Sequence, residues 1–221
     1  MKSQNNKWAL PAFLFLAAAV AIWMNLGKPA RKVTTAPQEA MAERAAIGIS
    51  QLLSGKGHVQ LVSEKAESPA ALEIEHVGHL QQAQEAQVRA LKNTLKQKGR
   101  FTFSPDWFLL RDPLTMDPAW APATFGNIVR DLPAGAALVS FVSLPPLSDE
   151  DVAAIRAKKI LLVLVGQAPV EMKQLVENKT ISLAVVYRQP IPPRPADKTE
   201  SPQEWLTRVA EVLPAEKSAT P

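Results

Sequence analysis

Ile160-Leu-Leu-Val-Leu-Val-Gly166 and, fifteen residues further on, Ile181-Ser-Leu-Ala-Val-Val-Tyr187 are two runs of strand length, rich in branched residues. Between them lies a helix-forming stretch, Ala168 to Asn178, with Pro169 near its start. A continuous apolar run has no polar face to show to water, so each strand must be buried on both sides. The intervening helix then serves as the crossover between parallel neighbours. Working backwards, Ala136-Ala-Leu-Val-Ser-Phe-Val142 is a third such run, and Ser148 caps a helix over Asp149 to Arg156 whose acidic first turn suits the helix dipole.

The same alternation continues towards the amino end. An alanine-rich helix, Glu39 to Leu53, stops at Gly55-Lys-Gly57, and His58-Val-Gln-Leu-Val-Ser63 follows as a first strand. Ser68-Pro69 opens a long helix to Lys98 with Val77, Leu80, Val88, Leu91 and Leu95 on one face. Either Phe101-Thr-Phe-Ser104 or Trp107-Phe-Leu-Leu110 supplies the remaining strand, and Ala121 to Leu132 the helix after it. The expectation is a single α/β domain over residues 39–189, with one doubly wound, mostly parallel five-stranded sheet. A Pro-rich linker (190–200) and a last amphipathic helix (201–213), opened by the capping box Ser201-Pro-Gln-Glu204, precede a tail (214–221) expected to be disordered.

Residues 8–26 form an uncharged apolar run behind a basic segment (1–7), with residues 27–38 as linker. About 20 apolar residues match the hydrocarbon thickness of a bilayer, and Trp8 and Trp23 suit its two interfaces. The rival is a cleavable signal peptide, since Lys2 and Lys7 are basic and Ala19-Val20-Ala21 has the small residues of a cleavage site. Cleavage there would leave Ile22-Trp23-Met24 on the mature end, which favours an uncleaved single-pass anchor. Lys2 and Lys7 on one side balance Lys28, Arg31 and Lys32 on the other, so charge barely orients it. With no cysteine in the chain, a lipid-modified cysteine anchor is excluded and no disulfide staples the fold.

The net charge of +4 belongs to the amino terminus. Residues 1–32 hold five of the 25 Lys and Arg and none of the 21 acids, leaving the rest of the chain close to neutral. That excludes a nucleic-acid reader, which needs a basic face, and assigns the basic flank to lipid headgroups. A catalytic assignment finds little support. Glu73 and His76, with Glu75 and His79, have metal-ligand spacing on one helix face but no second copy of the motif, and read as solvated polar residues. Gly166-Gln-Ala-Pro169 lacks the glycines and lysine of a phosphate loop, and His58 next to Gly57 reads as structural. No cofactor is expected. Trp107, Phe108, Trp120 and Phe125 either fold back into the core, the favoured outcome, or present a patch for a protein partner or the second half of a homodimer.

From Ala40 to Pro190 the chain resembles the carboxy-terminal lobe of type 1 periplasmic sugar-binding proteins, the relatives of ribose-binding proteins and LacI-type effector domains. Three stretches carry the likeness: the alanine-rich helix running into Gly55-Lys-Gly-His-Val-Gln-Leu-Val62, the helix end Gln87-Val-Arg-Ala-Leu-Lys-Asn-Thr-Leu-Lys-Gln-Lys-Gly99, and Ile160–Gly166 through Val176-Glu-Asn-Lys-Thr-Ile-Ser-Leu-Ala-Val-Val186. The resemblance implies an outward, extracytoplasmic domain and ligand contacts from an arginine on the long helix, an Asp or Asn after the middle strand and an Asp after the fourth. Those places are held here by Gln87, Ser143 and Gln167, all uncharged. Ser63-Glu64-Lys65, Arg111 and Asp112 join them as polar candidates at the strand carboxyl ends, although Arg111-Asp-Pro-Leu-Thr-Met-Asp-Pro118 reads more readily as a pair of Asp-Pro turns. The expected function is thus a membrane-tethered, non-enzymatic domain of periplasmic-binding-protein ancestry acting through protein contacts. A sensor for a neutral, sugar-like small molecule is the alternative.

Overall fold

A computed structural model describes residues 35–66, 75–111, 120–166, 172–193 and 200–214. They all belong to one unit, Thr34–Pro221. The run 8–26, the helix starts at Ser68-Pro69 and Pro169, and the tail from 215 lie outside the described residues. Among the described residues no helix is long and apolar enough to cross a membrane.

The order along the chain is α1 (Ala36–Leu52), β1 (Lys56–Ala66), α2 (Glu75–Lys98), β2 (Arg100–Phe103), β3 (Trp107–Arg111), α3 (Thr124–Asp131), β4 (Ala137–Ser140), α4 (Asp149–Lys158), β5 (Leu161–Gly166), α5 (Met172–Glu177), β6 (Leu183–Tyr187), α6 (Pro202–Val209) and β7 (Ala210–Leu213). The strands form one sheet in the order β2-β1-β4-β5-β6-β7, with β3 also paired to β1. Strand alternation divides the core in two. Val59, Leu61, Val139, Val163 and Val185 face α1, α2 and α6, where Met41, Ile49, Leu91, Leu95 and Leu206 meet them. Val62, Leu138, Leu162, Leu164 and Val186 face Phe125 and Ile128 of α3, Ile155 of α4 and Met172 of α5 on the other side. All four residues of β4 are buried, as a central parallel strand requires.

Small residues let the layers approach closely. Ala42, Ala45 and Ala46 carry α1 against its neighbours, and a Cβ added at Gly48 would come within 2.6 Å of the Leu183 side chain. The capping box of Ser201 with Glu204 forms as the sequence indicates, and the Ser148 cap proves to be a second such box, with Asp151. The stripe on α2 is also as expected, with Val77, Leu91 and Leu95 buried and Leu80 and Val88 partly so.

The sheet has seven strands rather than five, for two physical reasons. First, both alternatives for the second strand are strands. β2 pairs with Lys56–Val59 and β3 with Val62–Ala66, so they occupy one edge position, broken between them by Ser104-Pro-Asp106. Proline cannot donate to a ladder and is tolerated at such an edge break. The break is held in place by buried Gln60, whose amide donates to the Pro105 carbonyl at 2.7 Å. His58 pins the β2 half, its Nδ1 and Nε2 lying 3.0 and 2.6 Å from the hydroxyls of Thr102 and Ser104.

Second, the last helix ends at Val209, and Ala210–Leu213 runs antiparallel beside β6. Trp205, Leu206, Val209 and Val212 have a spacing that suits a helix throughout. However, the outer edge of β6 offers a row of unmet backbone groups, and pairing them outweighs one more turn of a short helix. Arg188 locks the switch: its backbone N–H donates to Val209 O at 2.8 Å and its Nε to Ala210 O at 2.9 Å.

Candidate functional site

If β2 and β3 count as one position, the parallel strands stand in the order 2-1-3-4-5, the doubly wound arrangement whose order reverses between β1 and β4. Past that switch point β1 is longer than its neighbour. Its ladder with β4 ends at Val62, while β1 continues to Ala66 beside β3. Side chains of α2 take over there. With its amide oriented to satisfy both groups, buried Gln84 donates to Glu64 O and accepts from Glu64 N, each at 3.1 Å. Gln81 accepts from the Ala66 N–H at 3.3 Å and donates to Glu85 at 2.9 Å.

Beside this clamp, between α2 and the β2/β3 edge, runs a groove of about 420 Å³. Ser63 and Lys65 of β1 form its floor, Gln81, Val88, Lys92 and Asn93 of α2 one wall, and Asp106 and Phe108 the other. Lys92 Nζ donates to Asp106 Oδ2 at 2.7 Å and lies 5.9 Å from the Phe103 ring centroid. The other carboxylate oxygen, Asp106 Oδ1, is buried without a hydrogen-bond partner. Lys65 Nζ lies 5.8 Å from the Phe108 ring centroid. The groove therefore combines an apolar ring, amides and one partly buried ion pair with the further charged residues Glu64, Lys65, Glu85, Arg89 and Lys96.

Of the strand-end residues singled out from sequence, Ser63, Glu64 and Lys65 line this groove, whereas the others are not gathered here. Gln87 is buried on α2, on the side of the sheet covered by α1 and α2. Ser143 is exposed just past β4, its carbonyl accepting from Trp120 Nε1 at 2.8 Å, and Trp120 packs into the core on the opposite side. Arg111 is the last residue of β3, while Asp112 and Gln167 lie outside the described residues, as do Glu73 and the side chains of Glu75 and His76. Among the described residues no group of acidic or histidine side chains is placed to hold a metal ion. The α2 wall of the groove has no counterpart in the sequence reading because its residues look like the solvated face of a helix. One signal was available: Gln84 sits between Val77 and Leu91 at seven-residue spacing, a polar residue within the apolar stripe.

The aromatic cluster divides. Trp120 and Phe125 fold inwards as an edge-to-face pair with centroids 5.7 Å apart. Trp107, Phe108 and Leu110 instead stand 41%, 49% and 56% exposed on β3, around a buried Leu109. β3 is an edge strand, and among the described residues no strand pairs with its outer side.

No protein-family model matches the chain, and no curated protein matches it. Solved structures similar to it include AraP, an arabinose-binding protein from Geobacillus stearothermophilus, at 12% identity and a TM-score of 0.46, covering 67% of this chain and 45% of that one. A sugar-binding protein of a sugar ABC transporter from Bacillus halodurans matches at 13% identity and 0.46, covering 67% and 46%. A XylFII–LytSN complex matches at 11% and 0.44, covering 67% and 53%. Two of these three neighbours are sugar-binding proteins by name. The chain spans about half the length of each.

Proposed function

We propose that this chain is a membrane-tethered, non-enzymatic, single-lobe domain of periplasmic-binding-protein ancestry, facing the extracytoplasmic side, that works through protein contacts made along β3. The observation that carries this reading is the edge itself: three large apolar side chains, Trp107, Phe108 and Leu110, exposed on a strand whose outer backbone groups have no strand beside them among the described residues. An unprotected apolar edge is a template for pairing, and proteins that do not use such an edge blunt it. The absence of charge at Gln87, Ser143 and Gln167, where the resembled sugar binders hold ligand hydroxyls, supports the same reading. The test is a full-length Leu110→Lys variant. Its fold is expected to be intact and its native complexes in detergent extracts of its membranes lost; complexes that persist unchanged contradict the reading.

The groove favours a second reading, a binding site for a neutral, sugar-like molecule. Its volume of about 420 Å³ suits a small ligand, and Gln81, Asn93 and the Lys92–Asp106 pair supply donors and acceptors for hydroxyls. Thermal unfolding of the full chain against sugars and polyols tests it. A ligand at 100 times its Kd adds about 2.7 kcal/mol, a rise of roughly 5–10 °C in a domain of this size. A rise that Asn93→Ala abolishes supports a groove ligand, and a flat panel contradicts it.

A further inference from the structure

The two long sides of the sheet differ in what they leave open. Beyond β6 the position is filled by β7, whose four residues include Glu211 and which ends against Pro214, a residue with no N–H to offer. Beyond β1 the position is filled by β2 and β3. The β3 half, Trp107-Phe-Leu-Leu-Arg111, contains no proline, and its one charge, Arg111, stands at its end rather than within the strand as Glu211 does in β7. A sheet with one open side and one blunted side cannot add strands from both sides into a filament. If it pairs with itself it does so once, about a two-fold axis, and closes.

The strand is suited to that symmetry. Opposed residues in an antiparallel pair share a face. Leu109 belongs to the face packed against α3 and α4, where it joins the core with Phe125 and Ile128. Alternation gives Phe108 and Leu110 the α2 face, and Phe108 does line the groove there. Pairing two copies antiparallel about Leu109 keeps every residue on its own face, and no other symmetric register places all five residues of β3 opposite a partner. It sets Phe108 of each copy against Leu110 of the other, an aromatic–aliphatic cross-strand pair of the kind that stabilises sheets. The three exposed side chains of each copy then leave water together. On this basis, and resting on the interaction reading above, we infer that the occupant of the β3 edge is β3 of a second copy of this chain. It is paired antiparallel about Leu109, so that two seven-stranded sheets become one continuous sheet and the two grooves lie side by side across the seam.

The chain has no cysteine of its own, so introduced thiols report contacts without background. Two full-length copies with different tags, one carrying Phe108→Cys and the other Leu110→Cys, are produced together and oxidised in the membranes that hold them. Opposed residues have Cβ atoms about 4.5–5.5 Å apart, close to disulfide range, whereas diagonal ones lie about 7–8 Å apart. The expected result is a disulfide-linked pair carrying both tags, several-fold more abundant than the same-site pairs formed when either variant is produced alone. Mixed pairs no more abundant than same-site pairs overturn the register. A thiol that links only to a different protein overturns the second copy and leaves the interaction reading intact, whereas thiols that link to nothing overturn both. Both substitutions are at exposed positions, and far-UV circular dichroism of the purified variants separates a lost contact from a lost fold.

Discussion

The two edges of this sheet are made of similar material and finished in opposite ways. At the β7 edge the chain brings a capped helix, a bidentate ion pair and a short strand to bear on the open side of β6. Glu200 accepts from Arg208 Nε at 2.5 Å and from Nη2 at 2.7 Å, and Arg208 Nη1 also donates to Pro192 O at 2.5 Å, so α6 is tied to the Pro-rich connection before it. Hydrogen bonding to Glu200 raises the Arg208 pKa above its ordinary value. At the β3 edge the ties stop short of the strand: Lys92 pairs with Asp106 and Gln60 donates to Pro105 O, both before Trp107. Beyond its ladder to β1, the strand is seated in the core by Leu109, while Trp107, Phe108 and Leu110 are exposed. Local stability and an open pairing surface are thus assigned to opposite ends of one sheet.

Substitutions on the two edges separate these roles, and the largest effect falls on the anchor. Leu109→Ala removes the side chain that seats β3 on Phe125 and Ile128 and is expected to cost about 2–5 kcal/mol in chemical denaturation. A cost near zero would mean that β3 is held by something other than its core contact. Next comes the capping box on the finished edge. Ser201→Ala leaves the Glu204 N–H without its acceptor and is expected to cost about 1 kcal/mol, read as a lower thermal midpoint with the association state unchanged.

Leu110→Lys gives the converse pattern, a stability change within about 0.5 kcal/mol and loss of association in sedimentation of the full chain. If it unfolds the domain, the exposure of β3 is not what it is taken to be here. The smallest effect is a titration. Tyr187 is the chain's one tyrosine, set edge-on to Trp205 at 6.2 Å, and burial raises its phenol pKa above 10.0. In the unfolded chain it ionises at its ordinary value. Its contribution is therefore fully present below pH 10 and is lost as pH rises through the folded pKa. Absorbance titration should give a midpoint above 10.0 in the folded protein and the ordinary value in denaturant. Equal midpoints would mean that the β7 edge leaves Tyr187 open to water.

Much of the fold was legible because burial on both faces leaves an unambiguous mark. β4, β5 and β6 are runs with no other sensible reading, and Ser148 and Ser201 announced the starts of their helices. The edges were less legible for the same reason. An edge strand is wetted on one side, so its pattern is mixed. Pro105 made β2 and β3 look like alternatives when they are successive halves of one position, and Val212 fitted a helix as well as it fits β7. The polar groups of the candidate site were the hardest to read. Gln81, Gln84, Lys92 and Asp106 come together only because α2 lies over β1 and the Pro105 break turns Asp106 towards Lys92, and neither fact has a local signature.

Hydrogen exchange along Trp107–Arg111, followed in the full chain at high and low protein concentration, tests the difference between the edges most directly. Alternate β3 amides point away from β1 and have no strand beside them among the described residues of a single copy. Self-pairing predicts that these outward amides exchange slowly in concentrated protein and at least ten-fold faster on dilution, while the amides of β7 keep the same rate throughout. Equal and fast exchange in β3 at every concentration would contradict the account.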